Sequence, residues 1–126
     1  MAAARSETWR RVVLDAEQAL AVSPVGNLAA AATDEHTAAG LLNEHLALGT
    51  PVLVPVGFRW WLDYRSSSPS ARAAFALAQL VVLDTGFTRI KQCERCRRPF
   101  IDRTAARTAK RCADHNRKPA VPRRWL

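Results

Sequence analysis

Apolar positions recur at helical spacing in three stretches of the chain. Trp9, Val12, Val13, Ala16 and Leu20 follow one another at three- and four-residue steps, so they predict an amphipathic helix, with Ser6 as N-cap and Glu7 in its first turn. Ser23-Pro24-Val25-Gly26 ends it, and Asn27 to Ala32 reads as a small-residue connection. Thr33 or Asp34 then caps a second helix that runs to about Leu48 and stops at Gly49. Leu41, Leu42, Leu46 and Leu48 form its buried side, with His45 at the edge. Ser68 with Pro69 at the first helical position opens a third helix, which extends to about Thr85 before Gly86 closes it. That helix is apolar on nearly every side, the mark of the central helix of a body.

Between the second and third helices the period changes to two. Phe58, Trp60, Leu62 and Tyr64 alternate with Arg59, Trp61, Asp63 and Arg65, and Val52-Leu53-Val54 supplies a partner strand. Pro55-Val56-Gly57 makes the turn of a β-hairpin packed on the helices. Trp60 and Trp61 invite comparison with a base-stacking platform, which requires exposed rings beside positive charge. Their flanks are neutral to acidic, so they are read as core residues. The expected class is α+β, mostly helical: a body with a hairpin over residues 1–88 and a separate module over 89–126.

The strand Phe87 to Lys91 leads into the second module, which contains all three cysteines of the chain. Cys93-Glu94-Arg95-Cys96 is followed, after fifteen residues, by Cys112-Ala113-Asp114-His115. Two donor pairs, each separated by two residues, suit a tetrahedral ion that takes thiolate and imidazole, so Cys93, Cys96, Cys112 and His115 are the candidate ligands of one structural zinc. A disulfide framework would strand one of three cysteines. A redox Cys-x-x-Cys pair would precede a helix, whereas Arg97-Arg98-Pro99-Phe100 reads as a turn and a short strand. Asp114 competes with His115 as the fourth donor.

Charge sharpens the division. Residues 1–88 carry six arginines and no lysine against eight carboxylates, a net of −2, while residues 89–126 carry thirteen bases against three acids, a net of +10. So dense a positive field attracts polyanions, and the partner it implies is nucleic acid. Arg103, Arg107, Lys110, Arg111, Arg117, Lys118, Arg123 and Arg124 are the candidate phosphate contacts, while Arg95, Arg97, Arg98 and Arg111 also flank the sulfurs closely enough to act on them. The longest apolar run, Ala73 to Leu83, is too short to cross a bilayer. The first residues lack the order of an export signal, which points to the reducing cytoplasm. No Ser-His-Asp set, paired-carboxylate spacing or Gly-rich phosphate loop is present, so no enzyme is expected.

The run Thr88-Arg89-Ile90-Lys91-Gln92-Cys93, with Cys96, Pro99-Phe100, Asp102, Cys112 and Asn116-Arg117-Lys118, resembles the CGNR zinc-finger family of bacterial transcription regulators. The hairpin and apolar helix before it resemble the later half of the stress-associated helical domain that precedes that finger. The resemblance, from about His36 to Lys118, implies a zinc-dependent protein that binds double-stranded DNA through its basic finger. Its last tetrad differs: His115 stands directly before Asn116, and Arg111 replaces the family's tryptophan. Physically the finger is pictured as a treble clef, with Cys93 and Cys96 in a knuckle, Pro99 to Asp102 in a hairpin, and Cys112 with His115 at or near the start of a final helix; one continuous helix from Thr104 to Lys118 is the alternative. The competing function is an adaptor that binds protein or RNA, in which zinc is a clip. The body is the candidate surface for a homodimer or a protein partner.

Overall fold

The computed structural model describes residues 2–32 and 34–113. Four helices and two small antiparallel hairpins succeed one another: α1 (Ala2–Val22), α2 (Val25–Ala31), α3 (Glu35–Leu46), β1 (Thr50–Val56), β2 (Arg59–Arg65), α4 (Pro69–Asp84), β3 (Ile90–Gln92) and β4 (Pro99–Ile101). The chain is therefore α+β, as its periodicities predict. No helix among the described residues is long and apolar enough to cross a membrane.

The stripe Val12, Val13, Ala16 and Ala19 of α1 is buried against α4, whose Ala73, Ala74, Leu77 and Leu80 are buried in turn. Alanines at these contacts let the two backbones approach closely, and Leu42 of α3 closes the other side of α4. Helix α1 begins at Ala2, so Ser6 lies within it rather than capping it. The small-residue connection is itself a helix, α2, because Val25 and Ala29 can be buried there without a wide apolar face. Asp34 caps α3 by accepting the Thr37 N–H at 2.8 Å, and Ser68 caps α4 by accepting that of Ala71 at 3.2 Å. At the end of α4 the left-handed residue is Thr85, with φ 56°, and the Gly86 N–H returns to the Val81 carbonyl at 2.9 Å.

The first hairpin departs from the alternation reading. Val56 pairs with Arg59, so the turn is Gly57-Phe58 rather than Pro55-Val56-Gly57, with Gly57 in the left-handed region at φ +60°. Phe58 is thereby carried to the tip and is wholly exposed. Of the four residues expected on a covered face only Tyr64 is buried, and Trp60 is 70% exposed. The core reading of Trp60 is overturned, because the hairpin projects beyond the helices that cover its base. Trp61 is half-buried, with the Arg11 guanidinium 4.4 Å above its ring. In α3 the expected buried Leu48 is exposed, since the helix ends at Leu46.

Tyr64 is the anchor of this hairpin. Its ring stacks on Phe75 of α4 with centroids 4.9 Å apart, and its hydroxyl donates to the Leu46 carbonyl at 2.6 Å. Gly49 lies flat against that ring, where a Cβ would overlap Tyr64 side-chain atoms. Gly49→Ala is expected to displace Tyr64 and cost about 1–3 kcal/mol. Urea denaturation checks this; an unchanged midpoint contradicts the anchor.

The β3–β4 hairpin pairs Ile90 with Ile101 and Gln92 with Pro99. Ile90 and Ile101 are buried in the same core as α1, α2 and α4. The base of the basic module is thus sealed onto the body, which fixes where the cysteines sit.

Candidate metal centre

Residues 93–98 connect β3 to β4 as a tight knuckle. The Cys93 N–H donates to the Arg98 carbonyl at 2.8 Å, and the Arg97 N–H donates to the Cys93 carbonyl at 2.9 Å. Arg97 takes a left-handed conformation, φ 66°, that closes the turn. This curl directs the Arg95 and Cys96 N–H groups at the Cys93 sulfur, 3.4 and 3.5 Å away. Amides aimed at a sulfur stabilise its thiolate form. Cys93 is completely buried, Cys96 half-buried and Cys112 buried; none is in a disulfide.

The three sulfurs lie within 4.8 Å of one another, and those of Cys96 and Cys112 are 3.7 Å apart. A tetrahedral ion with Zn–S bonds of about 2.3 Å sets its sulfurs ~3.8 Å apart, whereas a disulfide requires about 2.05 Å. The spacing fits a shared ion and not a bridge. These cysteines can hold a metal ion. The Arg98 backbone N–H acts most strongly on Cys96; it outweighs burial and, with the Arg98 guanidinium, holds that thiol below its ordinary range. His115 and its competitor Asp114 lie outside the described residues, as do Arg117, Lys118, Arg123 and Arg124.

Cys112 arrives on a loop, not on a helix. Residues 104–112 contain no helix and helical backbone resumes only at Ala113, so a continuous helix from Thr104 is excluded. Asp102, 1% exposed, organises that loop. One carboxylate oxygen accepts the Thr104 N–H at 2.8 Å and its hydroxyl at 2.6 Å; the other accepts the Ala109 N–H at 3.0 Å and the Lys91 ammonium at 2.7 Å. Lys91 also donates to the Arg107 and Ala109 carbonyls at 2.7 and 2.8 Å, which occupies all three of its protons. The Glu94 N–H reaches the Lys110 carbonyl at 2.9 Å and ties the loop to the knuckle.

A second carboxylate joins this assembly to the body. Asp84, the last residue of α4, accepts from Arg89 Nε at 2.9 Å and from the Arg107 guanidinium at 2.9 Å. Arg89 goes on to donate to the Asp102 and Thr104 carbonyls at 2.9 and 2.7 Å, with the Trp9 ring 4.7 Å away. Burial pushes both carboxyls up, but hydrogen bonds outweigh it: from Arg107 and Arg89 at Asp84, and from Lys91 and Thr104 at Asp102. Both are held below the ordinary carboxylate value. The charge reading missed Asp84, Arg89, Lys91 and Asp102 as a unit. The available signal was an aspartate in a segment otherwise crowded with bases.

Of the basic residues expected to meet phosphate, Arg103 is paired with Glu17 of α1, its Nε 2.9 Å from the carboxylate, and Arg107 with Asp84. Lys110 and Arg111 are exposed and make no ion pair among the described residues, and the same holds for Arg95 and Arg97. The fold and site thus define an α+β chain with a three-cysteine knuckle clamped to a helical body. No protein-family model, curated protein or solved structure matches the chain.

Proposed function

We propose that this is a zinc-dependent cytoplasmic DNA-binding protein, a transcription regulator whose basic knuckle meets the phosphate backbone. The observation that carries the reading is the set of three sulfurs within 4.8 Å of one another with Arg95, Arg97, Lys110 and Arg111 exposed in the same segment. Cys93, Cys96, Cys112 and His115 hold the zinc, which supplies a cross-link between knuckle and loop. Four protein donors leave no position for a reactive water, so the role is structural and not enzymatic. A treble clef is the arrangement in which Cys112 would stand before the final helix, and helical backbone at Ala113 supports it. The likeness of the Thr88–Cys93 run and its downstream residues to the CGNR finger supports the same reading.

The phosphate-binding set is revised by the ion pairs. Arg103 and Arg107 hold the module on the body, which leaves Arg95, Arg97, Lys110 and Arg111, with Arg117, Lys118, Arg123 and Arg124, to face double-stranded DNA. Fluorescence anisotropy on a duplex at several salt concentrations tests this. Lys110→Ala with Arg111→Ala is expected to weaken binding and lower the salt slope by about two. Arg103→Ala is expected to leave that slope unchanged. Failure to bind any nucleic acid at low salt overturns the reading in favour of an adaptor that meets an acidic protein surface.

A further inference from the structure

We propose that Lys91 and Asp102 are positioning residues for the metal centre, which set where Cys112 meets Cys93 and Cys96; the inference rests on the metal reading above. The three sulfurs come from two parts of the chain, Cys93 and Cys96 from the knuckle after β3 and Cys112 from the loop after β4. Residues 103–111 of that loop contain no large apolar side chain, so packing of its own cannot fix its course.

Hydrogen bonds from one short hairpin fix it instead. Lys91 stands on β3 two positions before Cys93, and its ammonium holds the carbonyls of Arg107 and Ala109, the latter three positions before Cys112. Asp102 directly follows β4 and pairs with Lys91 at 2.7 Å. Its carboxylate takes the Ala109 N–H, so both backbone groups of Ala109 are gripped, one by each side chain. It also takes the Thr104 hydroxyl, whose oxygen in turn accepts the Thr108 N–H at 2.9 Å. Arg107, left-handed at φ 57° although it carries a Cβ, is kept there by its carbonyl on Lys91 and its guanidinium on Asp84. The side-chain bonds of Lys91 and Asp102 go to each other and to this loop, whereas Ile90 and Ile101 seal the hairpin onto the helices. What the pair fixes is the approach of Cys112. The sulfurs of Cys96 and Cys112, 3.7 Å apart, suit one ion, and a thiolate on an unheld loop reaches that spacing only after the loop is ordered, which weakens metal binding. Clamp and metal close the loop for each other, and removal of either weakens the other.

The zinc affinity of the full chain is measured by competition with a chromophoric chelator. Lys91→Met and Asp102→Asn are each expected to weaken zinc binding about 10–100-fold, as changes to groups that orient metal ligands do. Gly49→Ala, which strains the Tyr64 anchor of the other hairpin, is expected to change it less than about twofold, so that loss of stability alone does not account for the effect. Dependence on Cys112 separates positioning from general support. In a Cys112→Ala chain, Asp102→Asn is expected to leave the remaining zinc affinity within about twofold, because the ligand it positions is gone. Equal weakening in both backgrounds, or unchanged affinity in both clamp variants, overturns the proposal and leaves the metal reading standing. An unaltered chain that binds no zinc fails the metal reading and the clamp together. Circular dichroism checks that the helices persist in each variant. Should Lys91→Met disturb them, Thr104→Val, which removes only the hydroxyl contact, carries the test: a loss of at least about threefold is expected, and unchanged affinity overturns the clamp.

Discussion

Loss of the metal is expected to unfold the knuckle and the loop that carries Cys112, while α1 to α4 keep their helical signal. The segment from Cys93 to Cys112 has little apolar content to hold it, since Ile90 and Ile101, which are buried, belong to the base of the hairpin. Structural zinc in comparable small fingers contributes about 10–16 kcal/mol of apparent binding energy, and most of it is folding energy. Chelation should therefore abolish exchange protection at the amides of Glu94, Arg95, Cys96 and Arg97, which are held in the knuckle. Cys93→Ser is expected to be the most damaging cysteine substitution, because that sulfur is completely buried and accepts two amides. Hydrogen exchange with and without chelator reads this directly. Protection that survives chelation contradicts it.

The second large effect is expected at Asp102. Asp102→Ala leaves the Lys91 ammonium and the Ala109 and Thr104 amides without their acceptor in a nearly closed site, and breaking such a pair costs about 3–5 kcal/mol. The pH dependence has a definite sign. Asp84 and Asp102 have folded values below the ordinary 3.8, so the stability they contribute is present above that value and is lost as pH falls through the lower, folded values. Denaturant titrations across the acid range should show a steeper fall for the unaltered chain than for Asp102→Asn. Parallel curves contradict the assignment of Asp102 as a charged hub.

Much of this arrangement is legible in the sequence where a local rule governs it. The caps at Asp34 and Ser68, the Pro69 start of α4 and the spacing of the three cysteines each depend on a few neighbouring residues. What escaped depends on distant ones. Alternation showed that Trp60 and Tyr64 share a face, but whether the face is covered depends on how far α4 and α3 extend beside the strand; they reach Tyr64 and leave Trp60 outside. Helix α2 has too few large residues to announce a period and is explained by packing around Val25 and Ala29. Arg103 and Arg107 look like any other bases of a cationic run until the chain brings Glu17 and Asp84 to them from 86 and 23 positions away.

The central claim is that one ion is held by the sulfurs of Cys93, Cys96 and Cys112. X-ray absorption at the metal edge, combined with metal content per chain, tests it most directly. The account predicts one zinc per chain with at least three sulfur neighbours at about 2.3 Å. A chain that retains no stoichiometric metal, or whose metal is bound by oxygen and nitrogen alone, contradicts it.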